Sequence, residues 1–590
     1  MNARLKITQD KTGFTLIETL IGMAIFAVIA LAIYFTYLNI VEAIAKNRLR
    51  SAATAILERE IETVRGMKFS DVGLLGGAPA GLIASQKTVE YGAVSFLVDA
   101  YVRNIDDPFD GTTGGAPNDT APADYKLVEF KISCLTCIGF FVPMRMTTTV
   151  APAGLESATQ NGSLFVNVFD SSGESVSGTI VKVVNNTTSP PISITDSTNA
   201  NGLLQLVDVP TSTSAYEITV TKPGYTSART YQLGDPQNPN PSKPHATVVS
   251  QQVTTLNFSI DVASSIAFIS ADETCAPVSG VEFSMEGSNI IGTDPVVKSF
   301  TTTTATNVSG TKLISLLEAD TFTVSGVSSS MDIAGQSRFS PITTLPGSAL
   351  VMRWLMAPKE PNALMVSVTD ASSALLEGAT VTLTRPGFSE TKVTGRKEIV
   401  HSDWSGVGGY SSQSGEILVL PGEMQIGQVD GVYATGTEHW LEGPSIDFGT
   451  TTTSFFSLRF APETQPAGTS VGLQLAANND NVSWNYLGPD GTAGTYYTAS
   501  GTAVTAVLNN NRYMRYRIVL QTDDASSTPS FNEMAIDYAS GCITPGQAFF
   551  TNLTDDTYAL AITRAGYQNY SDPNLDILQN WQSYSAILQP

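Results

Sequence analysis

An uncharged stretch of 23 residues, from Thr19 to Val41, constrains this chain more than any other feature. At about 1.5 Å per residue it would span roughly 35 Å as a helix, enough to cross the hydrocarbon layer of a membrane. The basic residues Arg4, Lys6 and Lys11 precede it, which predicts a cytoplasmic N-terminus and an exported remainder. The sequence therefore predicts a single-pass membrane protein whose bulk lies outside the cytoplasm.

The border of this stretch differs from an ordinary secretory signal. The apolar run is too long, no Ala-x-Ala cleavage site follows it, and Glu18 lies at its start. A carboxylate in hydrocarbon costs about 2.5 kcal/mol or more, so it is usually kept only where a partner compensates its charge. Apolar residues continue at three- and four-residue spacing from Val41 to Val64, which predicts one helix of about fifty residues that ends near Gly66.

The sequence GFTLIE, from Gly13 to Glu18, follows a basic leader and resembles the signal of type IV pilins and pseudopilins. The resemblance implies that prepilin peptidase removes residues 1–13 by cleavage between Gly13 and Phe14, and that Phe14 is then N-methylated. It also implies that Glu18 pairs with the Phe14 amine of a neighbouring pilin or pseudopilin subunit during assembly. A plain signal anchor, with Glu18 near the lipid interface, is the alternative.

The same resemblance implies a location. Before assembly the protein would lie in the cytoplasmic membrane, with inner-membrane lipid around its helix. After assembly it would lie at the cell surface in an extracellular filament. The net charge of −22 argues against nucleic acid as a partner, because phosphate binding requires a basic face.

Residues 14–154 are predicted to form a pilin-like domain in which a small antiparallel sheet packs on the long helix. Strand-like runs such as VSFLVDAYVRNI and YKLVEFKISC are joined by a loop rich in Gly, Pro and Asn. Asp106, Asp107 and Asp110 begin this loop but lack the regular ligand spacing of a calcium loop. We therefore predict a polar turn there and no metal site.

Beyond Leu155 the sequence is typical of an all-β protein with an internal repeat, and a chain of 590 residues is too long for one hydrophobic core. The endings VTKPGY (Val220 to Tyr225) and ITRAGY (Ile562 to Tyr567) match in phase. They indicate a sandwich that an inserted domain splits in two, which loop tips tolerate. The predicted domains are a β-sandwich at 163–260, a divergent one at 265–358, a split one at 363–388 plus 541–588, and an insert at 446–538 that looks like a jelly roll.

The repeats resemble the carboxypeptidase regulatory-like family. The first copy carries Gly-x-x-Val-x-Gly at Gly173, Val176 and Gly178, and Asn-x-x-Gly at Asn199 and Gly202. The resemblance covers the first and the split copy well and the middle copy loosely. It implies transthyretin-like or Ig-like sandwiches that serve as a non-catalytic stalk, spacer or binding module.

Residues that could carry chemistry are few. The three histidines, His245, His401 and His439, lack metal-ligand spacing, and no GxSxG, HExxH or phosphate loop occurs. Cys134 and Cys137 would form a short disulfide or remain thiols, because the strand–CxxC–helix context of a redox domain is missing. Spacing leaves open whether Cys275 and Cys542 pair. We expect no enzyme activity and no cofactor.

Aromatic residues of the insert offer one ligand hypothesis. Trp484, Tyr486, Tyr496 and Tyr497 flank polar loops, where rings can stack on a surface glycan, although aromatics of a sandwich usually belong to its core. The fold expected overall is an α+β pilin-like domain followed by several all-β sandwiches.

The function favoured is that of a large minor pilin that displays these domains for adhesion to a glycan or a protein receptor. A pseudopilin of a type II secretion or DNA-uptake machine and a membrane-anchored surface hydrolase are the alternatives.

Overall fold

A computed structural model describes residues 16–137, 141–153, 160–326, 330–578 and 580–590. In this part of the chain one long helix precedes many mostly antiparallel sheets that form several β-sandwich domains, which confirms the predicted fold class. Two compact units are present. The first comprises Met1–Asp261 and Ile291–Val297, and the second comprises Val262–Ile290 and Lys298–Pro590.

The helix α1 runs from Leu16 to Arg65 and has 50 residues, as the apolar spacing predicted. No proline interrupts it, and it ends at Gly66, whose N–H donates to the carbonyl of Glu62 over 3.2 Å. The described side chains of its N-terminal half are exposed, whereas Ala53 and Leu57 farther along are fully buried. Only the C-terminal half therefore belongs to a folded domain.

Four antiparallel strands pack against this C-terminal half of α1. They are β1 (Gln86–Tyr91), β2 (Val94–Ile105), β3 (Tyr125–Cys134) and β4 (Met144–Val150), and they pair in that order. Burial alternates along β2 and β3, as expected for a sheet that is covered on one face. Phe96 and Phe130 share one hydrophobic core with Leu57 and Ile61 of the helix.

The first sandwich follows within the same unit. This part of the chain forms the strands β5 (Gly162–Phe169), β6 (Ile180–Asn185), β7 (Ile192–Ser197), β8 (Leu203–Val209), β9 (Ser212–Thr221), β10 (Ala228–Arg229), β11 (Asn240–Pro241), β12 (Ala246–Val248) and β13 (Val253–Ser259). All of them except β11 belong to the two sheets of the sandwich. One sheet has the order β13-β5-β8, and the other has the order β10-β9-β6-β7 with β12 on β9.

The next strands lead through the middle sandwich. They are β14 (Ser264–Ala271), β15 (Glu282–Gly287), β16 (Ile290–Thr293), β17 (Val297–Lys298), β18 (Thr301–Ala305), β19 (Thr311–Leu317), β20 (Thr321–Gly326), β21 (Met331–Gln336), β22 (Ile342–Thr343) and β23 (Ala349–Pro358). The two sheets of the sandwich are β19-β14-β23-β21 and β18-β15-β20-β22, whereas β16 and β17 form a separate sheet with β11 in the order β11-β16-β17. Phe268, Phe283 and Trp354 stack in its core with ring centroids 4.3 to 5.2 Å apart.

The remaining strands form the third sandwich and the inserted domain. They are β24 (Ala363–Asp370), β25 (Thr380–Arg385), β26 (Phe388–Val393), β27 (Lys397–His401), β28 (Ser412–Gln413), β29 (Ile417–Leu420), β30 (Glu423–Ile426), β31 (His439–Glu442), β32 (Ile446–Asp447), β33 (Ser454–Ala461), β34 (Thr469–Asn478), β35 (Thr502–Ala503), β36 (Tyr513–Thr522), β37 (Ser530–Phe531), β38 (Glu533–Ala539), β39 (Gln547–Phe550), β40 (Asp556–Thr563), β41 (Tyr570–Ile577) and β42 (Trp581–Leu588). The third sandwich consists of the sheets β39-β24-β42 and β26-β25-β40-β41.

All three sandwiches share one strand topology. In each, the first strand lies between an antiparallel neighbour and the last strand, which runs parallel to it, in the orders β8-β5-β13, β19-β14-β23 and β39-β24-β42. The third sandwich brings together residues 363–393 and 547–588, although the inserted domain separates them in the sequence. The strand β26 extends this sandwich to Val393, beyond the predicted limit at residue 388.

Two glycines explain why the repeats carry Asn-x-x-Gly. Gly202 and Gly310 directly precede β8 and β19 and have φ of +69° and +65°. A Cβ atom would lie 2.3 Å from the carbonyl oxygen of Val168 at the first position and of Ser270 at the second. Only glycine can take this backbone conformation so close to another backbone.

The inserted domain has the sheets β27-β38-β33-β35, β29-β30-β37 and β28-β31-β36-β32 with β34 on β36. Its strands β27 to β31 lie between Lys397 and Glu442, before the predicted start at residue 446. These strands have two to five residues each, which is too short to show a clear alternation. The insert therefore begins earlier than the sequence pattern indicated.

Candidate functional site

The N-terminal half of α1 presents an apolar surface against which no other part of the described chain packs. The described chain contains one helix long and apolar enough to cross a membrane, Leu20–Arg65, and the most apolar window of this helix is not buried. Its exposed large side chains include Ile21, Met23, Ile25, Phe26, Val28, Ile29, Leu31, Ile33, Phe35, Leu38 and Ile40. Burying each such side chain is worth about 1.5–3 kcal/mol. This surface therefore requires lipid or the helices of other subunits.

The motif residues lie at the start of this surface. Gly13 and Phe14 lie outside the described residues. The described part of α1 begins at Leu16, and Glu18 lies in its first turn. Between Glu18 and Glu42 no charged residue occurs.

Buried charged groups fix the C-terminal half of α1 to its domain. Glu60 pairs with both Lys87 of β1 and Arg59, and the Glu60 side chain is 8% exposed. The ammonium of Lys126 donates to the carbonyl oxygens of Phe69 (2.8 Å) and Val72 (2.7 Å), in the turn that follows the helix. Burial lowers the pKa of Lys126. These contacts join the helix and the turn after it to the sheet.

Hydrogen bonds also connect the pilin-like domain with the first sandwich. The Asn104 amide donates to the carbonyl oxygen of Val207 over 3.2 Å. The backbone N–H of Ser193 donates to the carbonyl oxygen of Gly76 over 2.8 Å. Because both contacts involve backbone groups of β-strands or tight turns, they tie the first sandwich to the domain that carries the helix.

The four cysteines form two disulfides. Cys134 and Cys137 pair at the end of β3, which is one of the two predicted alternatives. Cys275 pairs with Cys542, which lies 267 residues later in the sequence. The second bond joins the turn after β14 to the start of the segment that leads into β39. It therefore connects the middle sandwich with the second half of the split sandwich.

The loop between β2 and β3 begins with a polar turn at the predicted place, where the N–H of Phe109 donates to Oδ1 of Asp107 over 3.2 Å. Asp106 lies beside Asp119 and Asp124, and one carboxylate oxygen from each lies within 4.8 Å of the other two. Asp107 and Asp110, which precede the turn with Asp106, are not part of this group. Burial raises the pKa of Asp106 and Asp124, and neighbouring aspartates raise it further. The sequence missed Asp119 and Asp124 because only loop folding brings them to Asp106.

The aromatic residues of the insert are already engaged. Tyr497 is fully buried, and its hydroxyl accepts a hydrogen bond from the N–H of Thr505 over 3.1 Å. Tyr486 is 7% exposed and lies beneath the guanidinium of Arg517, 4.1 Å from its ring centroid. Trp484 stacks in the same way, with Arg515 4.7 Å away, and Tyr496 packs on Gly472. Tyr486 and Tyr497 therefore belong to the core of the domain, whereas Trp484 and Tyr496 are half-buried.

The three histidines lie apart from one another. His245 bonds through Nδ1 with the Thr230 hydroxyl over 2.9 Å in the first sandwich. His401 contacts the Tyr516 hydroxyl in the insert, and burial lowers its pKa. His439 is 1% exposed. In the described part of the chain, the aspartate group is the one cluster of three or more His, Cys, Asp or Glu with metal-ligand geometry.

Comparison with known proteins supports the interpretation of the N-terminus. Residues 9–34 match the family described as the prokaryotic N-terminal methylation motif. This match includes Gly13, Phe14 and Glu18 and more than half of the uncharged stretch. No curated protein matches the chain.

Among solved structures, the chain is similar to three proteins, two of which are described as pilins. They are the Bacillus anthracis TIE protein (12% identity, 53% of this chain, 66% of that chain, TM-score 0.15), the shaft pilin SpaA from Lactobacillus rhamnosus GG (16%, 33%, 98%, 0.14) and GBS52, the minor pilin of the Gram-positive pathogen Streptococcus agalactiae (13%, 34%, 99%, 0.17). The chain thus covers slightly less than two thirds of the TIE protein. At such TM-scores these similarities support no conclusion about function.

Together, the methylation motif and the exposed apolar helix indicate a subunit of a pilus or related surface structure. They imply processing by prepilin peptidase and assembly with other pilin subunits. They also imply a membrane location that precedes a surface location.

Proposed function

We propose that this chain is a large minor pilin that enters a type IV pilus-like filament through α1 and displays its β-sandwiches for adhesion. The observation that carries the proposal is the exposed, uncharged half of α1, which follows directly on GFTLIE. In this account Gly13–Phe14 is cleaved, Phe14 is N-methylated, and Glu18 pairs with the Phe14 amine of a neighbouring subunit. The proposal assigns no catalytic step to the chain.

A terminal position in the filament agrees with the size of the displayed part. After the pilin-like segment 14–154, 436 residues follow, and all described strands among them belong to β domains. Such bulk at every subunit would obstruct the close helix packing that buries the apolar half of α1. We therefore place the chain at or near the filament tip, where one copy suffices.

The test compares two glutamates of α1. Glu18→Ala removes the carboxylate beside the uncharged stretch, whereas Glu42→Ala removes an exposed carboxylate that pairs with Lys46 over 2.6 Å. An exposed pair of this kind contributes at most about 1 kcal/mol. We expect Glu18→Ala to remain in the membrane fraction and Glu42→Ala to enter sheared filaments at the wild-type level. Equal incorporation of both variants would contradict the assembly role.

The same strains separate the alternatives. If the Glu42→Ala strain and the wild type adhere and the Glu18→Ala strain does not, adhesion depends on assembly. Loss of protein secretion or DNA uptake without loss of adhesion would instead indicate a pseudopilin. Hydrolysis of polysaccharides or esters by the purified full chain would indicate an anchored hydrolase.

A further inference from the structure

A cavity of about 600 Å³ lies within the second unit, where three of its domains meet. Its walls include Glu273 of the middle sandwich, Lys392 of the split sandwich and Arg459 of the inserted domain. Binding sites for small molecules usually have volumes of about 300–1,000 Å³ and often lie between domains. The cavity therefore has the size and the place of a small-molecule site.

Charged side chains line this cavity, and most of them neutralise one another. The lining contains four basic and four acidic side chains. Three of the basic side chains form ion pairs with acidic residues of the same lining, namely Lys392 with Glu390 (3.1 Å), Lys397 with Glu273 (3.3 Å), and Arg459 with Glu398 and Asp537. The fourth basic side chain belongs to Arg396.

Arg396 lies in the link between β26 and β27, where the chain passes from the split sandwich into the inserted domain. Its guanidinium forms no hydrogen bond or ion pair with any residue that the structure describes, and its Nε is shielded from solvent. One face of the guanidinium lies over the ring of Phe456, with Cζ 3.7 Å from the ring centroid. A shielded donor normally has a hydrogen-bond partner, and leaving one unpaired is unfavourable.

The unpaired guanidinium indicates the chemistry of a ligand. Its planar set of N–H groups matches the two oxygens of a carboxylate and can bind both of them at once. The other cations of the lining already have acidic partners, so an anion that enters the cavity would bind to Arg396. The cavity therefore selects a ligand that carries a carboxylate.

The rest of the lining suits a sugar ring. Leu355, Ile543 and Phe549 form a buried apolar part of the wall, which can cover the C–H groups on the face of such a ring. The paired charged side chains are 23% to 50% exposed, and they can accept hydrogen bonds from sugar hydroxyls or donate to them. An extended peptide would instead require an open groove or a free sheet edge.

We propose that this cavity binds an acidic saccharide whose carboxylate pairs with the guanidinium of Arg396. The proposal names a class of receptor for the displayed domains. Its role in adhesion rests on the proposed function, whereas binding itself requires only the folded second unit. The purified Glu18→Ala chain should therefore bind the saccharide as the wild type does, so that failure of filament entry and failure of this site are distinguishable.

The test measures binding of two uronates, galacturonate and glucuronate, to the full chain in detergent micelles. Galactose and glucose are the neutral controls, because each differs from its uronate only in lacking the carboxylate. Calorimetry gives the affinity, and hydrogen exchange of the segments 390–398 and 543–549 locates the site. A short Gly-Asp-Gly peptide is titrated in parallel as a carboxylate without a sugar ring.

The variant is Arg396→Gln, which removes the charge. The matched control is Arg564→Gln, because the Arg564 guanidinium also lies over a ring, that of Tyr567 at 5.1 Å, but Arg564 is not part of the cavity wall. Arg396→Lys keeps a positive charge and loses the planar fork. It decides the test if Arg396→Gln does not fold, which thermal melting of the second unit shows.

We expect the wild type and Arg564→Gln to bind at least one uronate with a Kd of about 1 mM, the affinity usual for a ligand of about 13 non-hydrogen atoms. The corresponding neutral sugar should bind at least tenfold more weakly. Arg396→Gln should lose this preference for the uronate, and Arg396→Lys should lose part of it. The bound uronate should slow exchange in both segments of the wild type and in neither segment of Arg396→Gln.

Four results would overturn the proposal. The first is the absence of saturable binding of either uronate by the wild type up to about 20 mM, roughly twenty times the expected Kd. The second is binding of the neutral sugar or of the peptide as tightly as the uronate. The third is an equal loss of binding in Arg564→Gln. The fourth is unchanged uronate binding in Arg396→Lys, because that would assign no role to the planar guanidinium.

Discussion

Replacing Gly202 by alanine tests the reasoning about the repeated sandwiches most quantitatively. Gly202 has φ of +69°, and an added Cβ would lie 2.3 Å from the carbonyl oxygen of Val168. Gly178, in the same sandwich, has φ of +66°, but nothing lies within 4 Å of its Cβ position. The two positions therefore differ in the space around them and share the same backbone conformation.

The expected magnitudes follow from this difference. A left-handed conformation costs an alanine about 1–2 kcal/mol at either site. At Gly202 the backbone must also move until the contact exceeds 3.0 Å, the shortest that real Cβ atoms adopt. Overpacking of this kind adds about 1–3 kcal/mol. We expect Gly178→Ala to destabilise the sandwich by about 1–2 kcal/mol and Gly202→Ala by about 2–5 kcal/mol.

Hydrogen exchange of β5 and β8 is the suitable assay, because a chain of several domains does not unfold in a single two-state transition. The additional 1–3 kcal/mol corresponds to amide exchange that is roughly 5- to 150-fold faster in Gly202→Ala than in Gly178→Ala. Equal exchange rates in the two variants would refute the argument that close backbone approach selects glycine in the repeats.

Three further perturbations test other contacts. Lys126→Met removes the charged donor to two carbonyl oxygens and should lower the stability of the pilin-like domain by about 1.5–3 kcal/mol. Hydrogen exchange at Phe69–Val72 measures this loss. The control Lys131→Met removes a looser pair with Asp99 (3.9 Å) and should change stability by less than about 1 kcal/mol. Cys542→Ser opens a bond across 267 residues. It should lower the melting temperature of the second unit more than Cys137→Ser lowers that of the first, because the loop-entropy contributions are about 5.6 and about 2 kcal/mol. Equal shifts in calorimetry would contradict this. Burial lowers the pKa of His401 in the folded insert, so the unfolded chain binds the proton more tightly. The stability of the insert should therefore be full above a pH of about 6.5 and fall as the pH drops through that value. His401→Gln should flatten this pH dependence, as measured by hydrogen exchange of peptides from the insert.

The elements set by local pattern could be predicted from the sequence. The absence of charge from Thr19 to Val41 and the apolar spacing after it define α1. The repeated endings also have a structural counterpart, since Gly224 and Gly566 have φ of +80° and +82°. In both turns a tyrosine N–H, of Tyr225 or Tyr567, donates back three residues. The endings VTKPGY and ITRAGY therefore match because both form the same kind of turn, and this match is what predicted the split sandwich.

Features that depend on long-range folding could not be predicted. The pairing of Cys275 with Cys542 requires the inserted domain to return the chain to the middle sandwich. Asp119 and Asp124 reach Asp106 only because the intervening loop folds back on itself. The early strands of the insert are too short for a period of two to be visible. The surroundings of Gly13 and Phe14 lie outside the described residues, so their processing stays a prediction from the motif.

The mass of the mature N-terminus is the sharpest test of whether the chain is processed and assembled as a pilin subunit. The full chain would be purified from sheared surface filaments and its N-terminal peptide analysed by mass spectrometry. We expect this peptide to begin at Phe14 and to carry one additional methyl group on its amine. A filament-borne chain that still begins at Met1, or any other start than Phe14, would contradict it.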